Sequence, residues 1–112
     1  MPPSPPPNSA LAELAAVLGD DNVRTLARTF LRDFPISQRD LGGGERTNRL
    51  RLAHSMKSNS RLMGATELST YMARLEDSLS KPDGADVTPA DLAAIDAMYQ
   101  QIAAQLREFV GA

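Results

Sequence analysis

The chain has 112 residues, a net charge of −2 and no cysteine. That length fits one domain, able to bury roughly two thirds of the surface its unfolded form exposes. The lack of cysteine excludes disulfides, thiolate metal sites and a thiol nucleophile and suits a reducing compartment, and the acidic balance argues against a general nucleic-acid binder.

Hydrophobic residues make up 42% of the chain and aromatic residues only 4%. The core must therefore come from Leu, Ala, Ile, Val and Met, which suits packed helices. No run of about 18 apolar residues is present to span a membrane. No apolar stretch follows a basic start, so no secretory signal is read.

Met1 to Asn8 contains five prolines. It cannot form a helix and reads as a disordered tail or the end of a linker. The domain proper is expected over residues 9–112. Ser9 is expected to cap a short first helix to about Leu18, with Leu11, Leu14, Ala15 and Leu18 on one side. Gly19 ends it. Asp20 or Asp21 is expected to cap the second helix, where a carboxylate also suits the helix dipole. Val23, Leu26, Ala27, Phe30, Leu31 and Phe34 follow at helical spacing. Pro35 is expected to kink or divide that helix, because it removes a backbone bond and clashes with the preceding turn. The pattern resumes weakly to Leu41, and Gly42-Gly43-Gly44 breaks it.

The spacing predicts a third helix from near Glu45 to about Met63, with Gly64 in the left-handed position after it. A fourth runs from about Ala65 to Ser80, with Leu68, Met72, Leu75 and Leu79 inward and Tyr71 beside them. Lys81-Pro82-Asp83-Gly84 is a turn. The last helix starts with Thr88 as N-cap, Pro89 at the first position and Asp91 at the third. Leu92, Ile95, Tyr99, Ile102, Leu106 and Phe109 then repeat every three or four residues, the seam of a bundled helix. The expected fold is all-α: an antiparallel four-helix bundle with a short extra N-terminal helix.

On a wheel of about 100° per residue, the third helix turns Leu52, Met56, Asn59 and Met63 to one side, with Ala53 and Ser60 at its edge. The only histidine, His54, falls opposite, with Thr47, Leu50, Arg51, Lys57, Ser58 and Arg61. Such a histidine is either merely solvated or reactive. Arg46, Arg49, Arg51, Lys57 and Arg61 are five of the chain's twelve cations, and no Asp or Glu lies between Arg46 and Thr66. That concentration favours a phosphate or a carboxylate-rich partner. Lys57 lies three residues after His54, about 5–6 Å away at Cβ, where its ammonium can reach a phosphoryl group on the ring. Ser58, one turn on, is small enough to admit another protein.

Other chemistries lack parts. One histidine with no carboxylate on its face cannot make a zinc or iron site. A Ser/His/Asp arrangement has Ser55, Ser58 and Ser60 to hand but no local acid to orient the ring. The three glycines lack the lysine and hydroxyl of a phosphate-binding loop, so no ATP site is expected.

This helix resembles the signature of the histidine phosphotransfer (HPt) domain of phosphorelays. His54 matches the phosphoacceptor, preceded by Ala53. Lys57 matches the lysine three places on, and Ser60 the small hydroxyl residue six places on. Gly64, Ala65 and Leu68 match the end of the helix and the start of the next. Phe30, Leu31, Asp33 and Pro35 look like the Phe-Leu-x-Asp-x-Pro of the family's second helix. The resemblance covers about residues 9 to 110. Ser58 departs from it, because the family usually has glycine there.

The resemblance implies a phosphocarrier rather than an enzyme. His54 would accept a phosphoryl group through Nε2 from a receiver-domain aspartate and pass it to another receiver, with Lys57 offsetting its charge. An exposed imidazole, with a reference pKa of about 6.5, is mostly neutral at pH 7 and free to attack. Any magnesium would belong to the receiver, so no cofactor is expected. The partners implied are receiver domains of response regulators or hybrid kinases, met by a cytoplasmic monomer that is either free or part of a membrane-bound hybrid kinase. Leu50, Arg51, Ser58, Arg61 and Leu62 are the candidate docking residues. The alternatives are an HPt-like module that binds receivers without transfer, and a helical regulatory or dimerisation bundle.

Overall fold

The computed structural model describes residues 4–111. Five helices follow one another: α1 (Ser9–Leu18), α2 (Asp20–Leu41), α3 (Arg46–Leu62), α4 (Thr66–Ser80) and α5 (Pro89–Val110). Among the described residues there is no strand. The four long helices close a ring in which α2 packs on α3, α3 on α4, α4 on α5 and α5 on α2, while α1 lies on α2. Their inner faces meet in one core, with Val23, Phe34, Met56, Met72, Ile95, Leu106 and Phe109 all buried. Leu18, expected to face inward, is exposed instead. No described helix is long and apolar enough to cross a membrane.

The helix starts differ from the sequence reading in two places. Asn8, rather than Ser9, caps α1, its Oδ1 accepting from the Leu11 backbone N–H at 2.9 Å. Gly19 takes the N-cap position of α2 without a side-chain bond, and Asp20 and Asp21 fall in the first turn, where their charge still suits the dipole. The α5 start is as expected. Thr88 Oγ1 accepts from the Asp91 N–H at 3.1 Å, and Asp91 Oδ2 accepts from the Thr88 N–H at 3.0 Å.

Pro35 neither divides nor ends α2, which continues to Leu41. A proline leaves the carbonyl four residues earlier without its helical donor. That carbonyl belongs to Leu31, and the Tyr99 hydroxyl of α5 donates to it at 3.2 Å. Burial pushes the Tyr99 phenol pKa up, so it stays a donor. The ring itself stacks on Phe34, with centroids 4.7 Å apart.

Residues 4–8 do not form a free tail; the first three residues of the expected tail lie outside the described residues. The Ser4 N–H donates to the Glu108 carbonyl at 3.1 Å. Asn8 also donates from Nδ2 to the Met63 carbonyl at 3.0 Å, tying the start of α1 to the end of α3. The next residue, Gly64, has a φ of 76°, and a Cβ there would meet the Asn8 amide 2.2 Å away. Two independent demands therefore fall on this glycine: left-handed backbone and close contact.

Candidate functional site

His54 stands on the middle of α3 with 63% of its side chain exposed. Leu52, Ala53 and Met56 are buried around it in sequence, and they fix which way α3 faces. The ring is not simply solvated. Glu76 of α4 approaches it, with Oε2 2.5 Å from Nδ1. The other carboxylate oxygen accepts from Lys57 Nζ, also at 2.5 Å. A carboxylate can only accept, so Nδ1 carries the proton and the lone pair of the neutral ring is on Nε2.

Glu76 is the residue of the candidate site that sequence reading missed. It lies 22 positions from His54, and no local spacing links them. Its side chain is only 20% exposed. The Lys57 hydrogen bond holds its carboxyl below the ordinary value of 4.5; burial opposes this, and the bond to His54 adds to it. The expectation that no acid orients the ring is therefore corrected: α4 supplies one, because α3 packs against it along its length. Lys57 is correspondingly not a free ammonium; it is half-buried and bound to Glu76.

The candidate docking residues fall into two groups. Leu50 lines the same depression as His54, Lys57, Glu76 and Asp77, on the α4 side. Ser58, Arg61 and Leu62 line a separate groove on the other side, shared with Leu14 and Val17 of α1. Arg51 is exposed beside the histidine and donates to Asn48 Oδ1 at 2.5 Å. Ser60 is fully buried, its hydroxyl donating to the Met56 carbonyl at 2.6 Å.

Two of the five cations expected to surround His54 are used elsewhere. Arg46 donates to the Leu79, Ser78, Lys81 and Gly84 carbonyls and sits 3.4 Å from Asp86. Arg49 bonds Asp86 through Nε at 3.0 Å and Nη2 at 2.8 Å. These arginines pin the α4–α5 connection, and Arg49 holds the Asp86 carboxyl below its usual range. Only Arg51 and Arg61 remain as exposed cations on the histidine's face. Among the described residues no cluster of three His, Asp or Glu side chains could hold a metal ion.

Fold and site together define a helical bundle that presents one oriented imidazole to solvent. Residues 9–105 match the model of the Hpt domain. The chain belongs to that family, whose members carry out phosphotransfer in the phosphorelays of two-component systems. Comparison with curated proteins and with solved structures found no match.

Proposed function

We propose that His54 is the phosphoacceptor of a phosphorelay intermediate serving receiver domains. The observation that carries the reading is the Glu76–Nδ1 contact of 2.5 Å on an exposed ring. It supports Nε2 as the nucleophile, on a ring open to a partner. In the forward step the Nε2 lone pair attacks the phosphorus of a receiver's aspartyl phosphate. The P–O bond breaks, the aspartate leaves with its electron pair, and a P–N bond forms. The ring then carries a positive charge, which Glu76 stabilises through the Nδ1 proton. Lys57 turns from Glu76 toward the phosphoryl oxygens; its flexible stem and point charge suit that exchange. The return step reverses these bonds onto a second receiver, for which a cationic imidazole is a good leaving group.

The reading includes an up-down-up-down arrangement of α2 to α5, supported by the short connections between consecutive helices. It also includes a cytoplasmic monomer that acts as substrate and carrier, with no ATP site of its own. The test is incubation with radiolabelled, phosphorylated receivers from the same organism. Acid-labile label should appear on the wild-type chain and be absent from His54→Gln. Failure of every receiver to label the wild type would overturn the proposal. A stable receiver complex without label would instead favour a binding module that Ser58 has detuned.

A further inference from the structure

Between α2 and α3 lies a cavity of about 110 Å3. Its floor is core: Phe30, Phe34, Met56 and Met63, all buried. Its mouth carries Asp33 and Asn59, and Leu62 forms one wall. Protein interiors leave few voids larger than a water molecule, whose share of volume is about 30 Å3. A cavity of roughly 150 Å3 with comparable walls takes a benzene molecule. This one has room for a branched aliphatic side chain.

We infer that the cavity is the socket into which a receiver domain inserts an apolar anchor residue flanked by a lysine or arginine. The inference rests on the phosphorelay reading above. Four observations support that occupant. Leu62 is eight residues beyond His54, about 12 Å along the helix at about 1.5 Å per residue. A standard interface covers roughly 800 Å2 of each partner, a footprint about 16 Å in radius. A receiver centred on Nε2 therefore reaches Leu62, which walls the cavity. Second, Leu62 is also a wall of the α1 groove, which contains Ser58, one turn from His54. The two depressions form one apolar flank, in which Leu62 is 43% exposed and Val17 is 81% exposed. Third, the opposite flank of the histidine carries two carboxylates, Glu76 and Asp77, which suit an apolar anchor less well than the α1–α3 side does. Fourth, Asp33 at the mouth is exposed and pairs only with its own neighbour Arg32, at 2.8 Å. A cation on the incoming protein can take that carboxylate over.

Two variants and one spectrum test this with a receiver that phosphorylates the wild type. Asn59→Trp fills the mouth from an exposed position. Asp33→Lys reverses its charge at a surface site that no packing depends on. Asn59→Trp should raise the KM for the receiver at least about tenfold, as for loss of a buried anchor, with kcat unchanged. Asp33→Lys should raise KM severalfold, and a receiver with its matching cation changed to Glu should restore it. The methyl signals of Met56 and Met63 should shift when the receiver binds. Wild-type KM in both variants, or unmoved Met56 and Met63 methyls in a complex that transfers, would overturn the socket while leaving the relay intact. A wild type that no receiver labels would overturn the relay and the socket with it.

Discussion

The most consequential single residue is Glu76, because one carboxylate serves two partners. It fixes the tautomer of His54 and holds Lys57 in reach of the same ring. Replacing it with alanine should leave an imidazole free to rotate and to exchange tautomers. Misplacing a reacting group by an ångström can cost up to about a hundredfold. Glu76→Ala should accordingly slow transfer from a phosphorylated receiver by about ten- to a hundredfold in rapid-quench assays; an unchanged rate would remove Glu76 from the mechanism. The same residue makes a pH prediction. Its folded pKa lies below the ordinary 4.5, with the Lys57 bond as the main cause. The unfolded chain therefore takes up this proton at a higher pH than the folded one. The stability it contributes is complete above about pH 4.5 and is lost as pH falls through the depressed folded value. Melting midpoints should fall below about pH 4.5, and less steeply for Glu76→Gln than for the wild type.

At the scale of the element, the two largest departures from the sequence reading share a cause. Pro35 should break α2 on local rules alone, yet Tyr99 supplies the missing donor from a helix more than sixty residues away. Tyr99→Phe would leave the Leu31 carbonyl unpaired in a part-buried setting and should cost about 1–3 kcal/mol in urea unfolding. A value near zero would mean that water replaces the hydroxyl. Asn8 was hidden for a similar reason: it sits behind a proline run that reads as tail, but its amide joins α1 to the end of α3. Asn8→Ala should cost about 1–2 kcal/mol through the lost cap. Gly64→Ala should cost about as much from its left-handed backbone alone, and more from its clash with Asn8. The double variant should therefore lose less than the sum of the two, because alanine at position 8 removes the clash. Strict additivity in a denaturation cycle would contradict the contact. Helix number, order and inward faces were legible, since periodicity and caps such as Thr88 are local signals. Cross-helix donors were not, because nothing in a window of residues announces them.

For the whole molecule, the same divide governs the charge. The sequence placed five cations near His54, whereas folding turns Arg46 and Arg49 onto Asp86 and the α4–α5 connection and brings Glu76 and Asp77 alongside the ring. His54 and Lys57 were legible because they are three residues apart on one helix; their acidic partner needed α4. On the proposed function, the exposed pair Arg51 and Arg61 is what would steer a receiver. Neutralising those two should slow association at low salt, whereas Arg49→Gln should lower stability and leave the association rate unchanged. Stopped-flow mixing over a salt series separates the two effects, and equal slowing by all three substitutions would contradict the division.

The central claim concerns one ring: Nδ1 protonated and held by Glu76, Nε2 free to take phosphorus. The most direct measurement is a long-range proton–nitrogen correlation spectrum of His54 before and after phosphorylation by a receiver. The resting ring should show a protonated Nδ1 and an unprotonated Nε2, and the phosphorylated ring should show phosphorus coupled to Nε2. A resting proton on Nε2, or phosphorus on Nδ1, would contradict it.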